Sequence, residues 1–184
     1  MITTKAQLND VLAYEKEFYY AAYRLKPFYF RVTRQHQYAL YRYVRLLRIT
    51  EYLLNTSKGN PLKKVLFWLL ERRRNNIGNK LGLCITQNVF GRGLFIDHIG
   101  AITVNPFAKV GENCHIHGSC CIGRGGHGNG CPIIGNNADL GWGCVVLGDV
   151  TIADNVRVGA NAVVAKSISE ADTIWAGVPA RKIR

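Results

Sequence analysis

Residues 133–168 read IIGNNADLGWGCVVLGDVTIADNVRVGANAVVAKSI. An aliphatic side chain returns every six residues, at Ile134, Leu140, Val146, Ile152, Val158 and Val164. Four places after each comes a second small or branched residue: Ala138, Cys144, Val150, Val156, Ala162 and Ile168. An amphipathic helix brings its apolar stripe round every three to four residues, so a period of six excludes one. Self-similarity at a fixed short period is the mark of a solenoid. The same register runs upstream through Val104, Val110, Ile116 and Ile122, with Cys114 and Cys120 in the second slot, and misses only at position 128. Three six-residue sides, each a short strand ending in a corner, make one coil of a parallel β-helix, and each coil buries the face of the next. Glycine follows the aliphatic position at Gly111, Gly123, Gly135, Gly141 and Gly159, where a tight corner with positive φ is expected.

The register also settles the reading of VGENCHIHGSCCIGRGGHGNGCPIIG, residues 110–135, which holds four of the six cysteines and three of the five histidines. Cysteine and histidine are preferred zinc ligands, but the paired spacings C-x2-C and H-x3-H are absent. Cys114, Cys120 and Cys144 occupy slots that alanine and valine fill in sister repeats, which makes them small buried hydrophobes, and no metal is expected. The piece GRGGHGNG, residues 123–130, replaces a regular turn and predicts an extruded loop over about 123–133. It lacks the GK[ST] ending of a phosphate-binding loop.

The 184 residues suffice for one sizeable core and a small appended domain. Residues 1–82 carry sixteen Lys or Arg against five Asp or Glu, whereas residues 83–184 carry eight against seven. The front part has helical periodicity in AQLNDVLAYEKEFYYAAYRL, RQHQYALYRYVRLLRITEYLL and PLKKVLFWLLERRRNNIGNKLG, with breaks at Lys26-Pro27 and NTSKGNP. Pro61 opens the third of these and Gly82 follows its end. Three helices over 1–82 followed by a solenoid over 83–184 is the expected organisation. The basic, aromatic helices suit an anionic lipid surface or an acidic glycan. No nucleic-acid motif accompanies the charge. VLFWLL is far shorter than the roughly twenty residues needed to span a bilayer, and MITTKAQLND has no signal-peptide architecture. With cysteines explained as core, a cytoplasmic location is expected, extending to peripheral contact with the inner membrane surface.

The units of residues 133–168, closed by AGVPARKI at 176–183, resemble the left-handed β-helix of the hexapeptide-repeat acyltransferases. GRGLFIDHIGAITVNPFAKVGENC, residues 91–114, is similar to the serine acetyltransferase branch, which includes enzymes that acetylate sugars of surface polysaccharides. The resemblance covers about Phe90 to Ile183 and implies a mainly β fold, acetyl-CoA as acyl donor, and a homotrimer that can pair as a dimer of trimers. Phe90, Ile96 and Ile102 run in a six-residue register that slips by two to reach Val104, which should turn a side chain outward at the corner holding His98. There the family has an Asp-His pair, which maps onto Asp97 and His98: the histidine is the general base and the aspartate contacts the acceptor. His117 and His127 are expected to line the acceptor cleft. By the same resemblance Trp142, Ala160, Lys166, Arg181 and Lys182 lie along the CoA groove, the cations meeting its phosphates. Three positions depart from the family. Trp142 stands where it has a small residue. Leu83 stands where an aspartate backs the base, and Cys131 stands where a second histidine precedes a proline, leaving a backbone carbonyl or Glu112 to orient His98. These losses put a sugar hydroxyl of a capsule, lipopolysaccharide or similar glycan first as acceptor, with serine O-acetylation for cysteine biosynthesis as the alternative. A catalytically inactive solenoid scaffold is the alternative of another class.

Overall fold

The computed structural model describes residues 1–21, 27–126, 128 and 130–184. Helices α1 (Lys5–Ala21), α2 (Pro27–Val32), α3 (His36–Thr56) and α4 (Pro61–Leu81) precede a run of short strands. Among the described residues, four helices thus stand where three were expected. Pro27 occupies the first position of α2, where its missing N–H is no loss, and the end expected for the first helix lies outside the described residues. The Asn60 side chain accepts from the Lys63 N–H at one end of α4, and Gly82 closes the other at φ 75°.

The strands form three faces of a left-handed parallel β-helix. The first face holds β1 (Leu83–Cys84), β3 (Ile102–Val104), β6 (Cys121–Gly123), β9 (Val145–Leu147) and β12 (Val163–Val164). The second holds β4 (Lys109–Val110), β7 (Ile133–Ile134) and β10 (Thr151–Ile152). The third holds β2 (Phe95–Ile96), β5 (His115–Ile116), β8 (Asp139–Leu140), β11 (Arg157–Val158), β13 (Ile174–Ala176) and β14 (Arg181–Lys182), the last antiparallel to β13. Every aliphatic of the six-residue register and every second-slot residue, the three cysteines included, is buried. Burial pushes the Cys114 thiol well above its ordinary pKa, so it packs as a neutral hydrophobe.

The corners differ from expectation. Gly111, Gly123, Gly135, Gly141 and Gly159 do not have positive φ; the left-handed positions include Asn113, Asn137, Asn155 and Asp172, at φ 55–59°, which share one corner, with Ser119, Gly143 and Asn161 at others. Asparagine tolerates that region through local hydrogen bonding. Here its amides form a ladder, each Nδ2 donating to the next residue's Oδ1 from Asn113 to Asn137 (3.0 Å), Asn155 (2.8 Å) and Asp172 (2.8 Å). The post-aliphatic glycines serve a different need, close approach between coils. A Cβ on Gly141 would lie 2.7 Å from both Val158 O and Ala160 N.

The first coil has no coil above it, and the helices supply the missing partners. Buried Arg48 donates to Glu15 (2.7 Å), Glu51 (3.1 Å) and the carbonyls of Phe90 (2.9 Å) and Gly91 (2.5 Å). Glu15 accepts from the N–H groups of Gly93 (3.2 Å) and Leu94 (3.1 Å), and Tyr19 accepts from Ile96 N–H at 2.9 Å. Tyr43 meets Ile85 N–H through its hydroxyl, and Arg74 donates to the Ile85 carbonyl. Helix α4 leaves Leu62, Val65, Leu66 and Leu69 exposed along one stripe. Among the described residues no helix is long and apolar enough to cross a membrane. Removing one partner of a buried ion network leaves the others uncompensated, so Arg48→Met is expected to destabilise the fold by about 3–5 kcal/mol in chemical denaturation. A loss under about 1 kcal/mol contradicts this reading of the cap.

Candidate active site

The corner that leads from β2 into β3 is where the register slips. Eight residues separate Ile96 from Val104, against six from Ile116 to Ile122 in the next coil. Ile102 and Val104 both point inward on β3, so the surplus is expelled at the corner: Asp97 is half-buried, and His98 and Ile99 are exposed. Backbone bonds hold this bulge to the coil below, Asp97 N–H to Ile116 O at 3.0 Å and His98 N–H to His117 O at 3.1 Å.

Side chains from four parts of the chain gather here. Asp97 Oδ2 lies 3.3 Å from His98 Nε2, 3.8 Å from His117 Nδ1 and 4.0 Å from His115 Nε2. The His115 and His117 rings stack at 4.1 Å between centroids. They project from the same side of one extended segment, as a two-residue spacing requires. Asp139, paired with His115 on the coil below, accepts from His117 Nε2 at 2.8 Å. Burial first, and the adjoining His117 second, hold the His115 pKa below its ordinary value. Phe95 covers His115, ring to ring at 4.9 Å, and is itself packed under Tyr19 of α1.

His98 also faces a shallow cleft of about 390 Å³ shared with His36, Ile99 and Trp142. The His98 ring centroid is 5.7 Å from that of His36 and 5.9 Å from that of Trp142. Trp142, expected on the CoA groove, sits beside His98, lying across Gly118, where a Cβ would be 2.5 Å from the indole. Ala160 is one coil further along the same corner, since Asn161 N–H donates to Trp142 O. Lys166, Arg181 and Lys182 line a separate groove of about 410 Å³ with Trp175 at the C-terminal end, and Lys182 is ion-paired with Glu170. His127 lies outside the described residues. Leu83 is buried in the core, paired with Ile102. Glu112 sits at a different corner, so Asp97 and not Glu112 is the carboxylate at His98. Cys131 Sγ donates to Asn105 Oδ1 at 3.4 Å.

His36 and Asp139 were not singled out from sequence. Asp139 stacks on His115 at a spacing of 24, three hexapeptides plus the six extra residues between Ile122 and Ile134, so counting coils across the insertion is the signal that finds it. His36 arrives from α3 with no repeat to announce it. Burial and the neighbouring His98 charge lower its pKa from 6.5. The folded chain therefore binds fewer protons here than the unfolded chain, and this group's contribution to stability rises with pH through the region around 6.5. NMR titration of the His36 ring is expected to give a midpoint below 6.5; one at or above it contradicts the placement.

No family model matches the chain. Over 95 residues it is 37% identical to a serine acetyltransferase of Synechococcus elongatus, covering 50% of this chain and 38% of that one. Over 85 residues it is 36% identical to a serine acetyltransferase of Helicobacter pylori, covering 45% of this chain and 50% of that one. The matches thus span about half the length of these curated relatives or less. Among solved structures, serine acetyltransferase from Brucella abortus superposes with a TM-score of 0.68 at 25% identity, over 97% of this chain and 70% of that one. Soybean serine acetyltransferase complexed with serine gives 0.62 at 25% identity, over 78% and 58%. A serine acetyltransferase in complex with CoA gives 0.68 at 22% identity, over 97% and 70%, a likeness of fold. Repeat, fold and similarity agree that the chain is similar to the serine acetyltransferases, a hexapeptide-repeat family.

Proposed function

We propose that this protein is an acetyl-CoA-dependent O-acetyltransferase of the serine acetyltransferase type. The observation that carries the reading is the Asp97-His98 pair, expelled from the solenoid by two surplus residues and facing an open cleft. His98 takes the proton of the acceptor hydroxyl as its oxygen attacks the thioester carbonyl. The C–O bond forms, the C–S bond breaks, and the same imidazole returns the proton to the departing thiolate. Asp97 orients the ring and steadies its cation. Lys166 and Arg181 are the groups proposed to meet the phosphates of CoA, with Lys182 shared with Glu170. Trp142 is assigned to the acceptor side, beside His98.

L-Serine is the first acceptor proposed, because the similar proteins are serine acetyltransferases. A sugar hydroxyl is the second, favoured by Leu83, which is apolar and buried where the family aspartate is expected, and by Cys131 in place of the second histidine. The cleft at His98 is shallow and open to solvent, which supports a homotrimer in which a neighbouring copy covers it. The exposed stripe of α4, beside Lys63, Lys64, Arg72 and Arg73, supports peripheral contact with an anionic membrane.

Thiol release from acetyl-CoA, with L-serine and a panel of sugars and oligosaccharides, tests the activity. Serine-dependent release is expected, with kcat lowered about a hundred- to ten-thousand-fold in His98→Ala while acetyl-CoA affinity holds. Sugar-only release selects the second acceptor. Release with none of them, or full turnover in His98→Ala, contradicts the proposal, and the first result favours an inactive scaffold. Light scattering is expected to give three chain masses; a fully active monomer contradicts the trimer.

A further inference from the structure

We propose that Asp97, His115 and His117 form a binding site for one divalent transition-metal ion of the zinc type. This revises the expectation of no metal, and it does so through histidines that the six-residue register turns outward, not through the cysteines it buries. The inference stands on the side-chain geometry and holds whether or not acetyl transfer is the reaction.

Asp97, His115 and His117 each offer a ligand atom within 4.8 Å of the other two, and His115 Nε2 and His117 Nδ1 are the nitrogens that face Asp97 Oδ2. Three ligand atoms about 2.0–2.2 Å from a common tetrahedral ion sit about 3.3–3.6 Å apart, so the observed 3.8 and 4.0 Å to Asp97 close with small side-chain rotations. The hydrogen-bond pattern points the same way. His117 Nε2–H donates to Asp139 at 2.8 Å, which fixes the tautomer and leaves the lone pair on Nδ1, the atom that faces Asp97 Oδ2. His115 Nε2 is buried, has no hydrogen-bond partner, and faces the same oxygen. Two imidazole nitrogens, one bearing a lone pair and one unpartnered, thus converge on a carboxylate oxygen, an arrangement that a cation stabilises. A carboxylate on the far nitrogen of a ligating histidine, as Asp139 is for His117, orients the ring and raises its basicity. Two imidazoles and one carboxylate suit zinc and its first-row neighbours, and three protein ligands leave a fourth position open.

Three successive coils build the arrangement. Asp97 comes from the coil above, the two histidines from one segment, and Asp139 from the coil below. His98 borders the site, its Nε2 3.3 Å from the same Asp97 oxygen, and one position is left open. An oxygen ligand, water or a hydroxyl, is the class it would take.

The test uses untagged, metal-stripped full-length protein titrated with zinc by calorimetry and with cobalt(II) by visible absorption. One equivalent per chain is expected, with cobalt d–d bands and no sulfur-to-cobalt charge-transfer band. His115→Ala and His117→Ala should each abolish saturable binding. Asp139→Asn should weaken it about 10- to 100-fold, and Cys131→Ser should leave it unchanged. In the wild-type chain zinc should shift the ring resonances of both His115 and His117, a readout that needs no variant to fold. Absence of saturable binding, binding that survives both histidine substitutions, or a thiolate charge-transfer band overturns the site. Failure of acetyl transfer with intact metal binding leaves this inference standing and removes only the activity proposed above.

Discussion

A parallel solenoid has an open end, and the structure depends on how that end is closed. The backbone groups of the first coil point along the axis with no strand beyond them, and unpaired buried amides and carbonyls are among the costliest defects a fold can carry. Here the closure is a buried ionic cap. Arg48 bridges Glu15 and Glu51 and turns its remaining donors onto Phe90 O and Gly91 O, while Glu15 and Tyr19 receive the N–H groups of Gly93, Leu94 and Ile96. The helices are therefore not an appendage laid on the solenoid. They complete its hydrogen bonding.

The same cap shapes the candidate active site. Capping Ile96 by Tyr19 fixes the strand that runs into Asp97 and His98, and docking α3 over that coil carries His36 to 5.7 Å from His98. Tyr19 also covers Phe95, which covers His115, so the aromatic layer of α1 reaches the histidine cluster one coil down. Below that the solenoid takes over, since strand pairing alone sets Asp139 against His115. One wall is thus built by helix docking and the other by coil stacking. The slip of two residues between Ile96 and Val104 opens the corner where they meet.

Much of this was legible because a period of six leaves no freedom about which residues face inward, so the core, the buried cysteines and the outward turn at His98 could be read directly. What the sequence concealed is non-local. The post-aliphatic glycines looked like turn formers, but at Gly111, Gly135 and Gly141 the constraint is the backbone of the adjacent coil, and left-handed φ falls at other corner residues, the asparagine ladder among them. Asp139 was hidden by the insertion between Ile122 and Ile134, and His36 by arriving from a helix. The basic charge of the front segment read as a surface property, yet Arg48 and Arg74 are spent inside. Lys182 read as a phosphate cation, and Glu170 partly claims it.

The claim that the helices complete the first coil is tested most directly by amide hydrogen exchange in the wild-type chain and in Glu15→Gln. The account predicts strong wild-type protection at Gly93 and Leu94, lost in the variant together with the rest of the first coil, while amides of the coils from Ile116 onward keep theirs. Unchanged protection at Gly93 and Leu94, or an even loss along the whole solenoid, would contradict it.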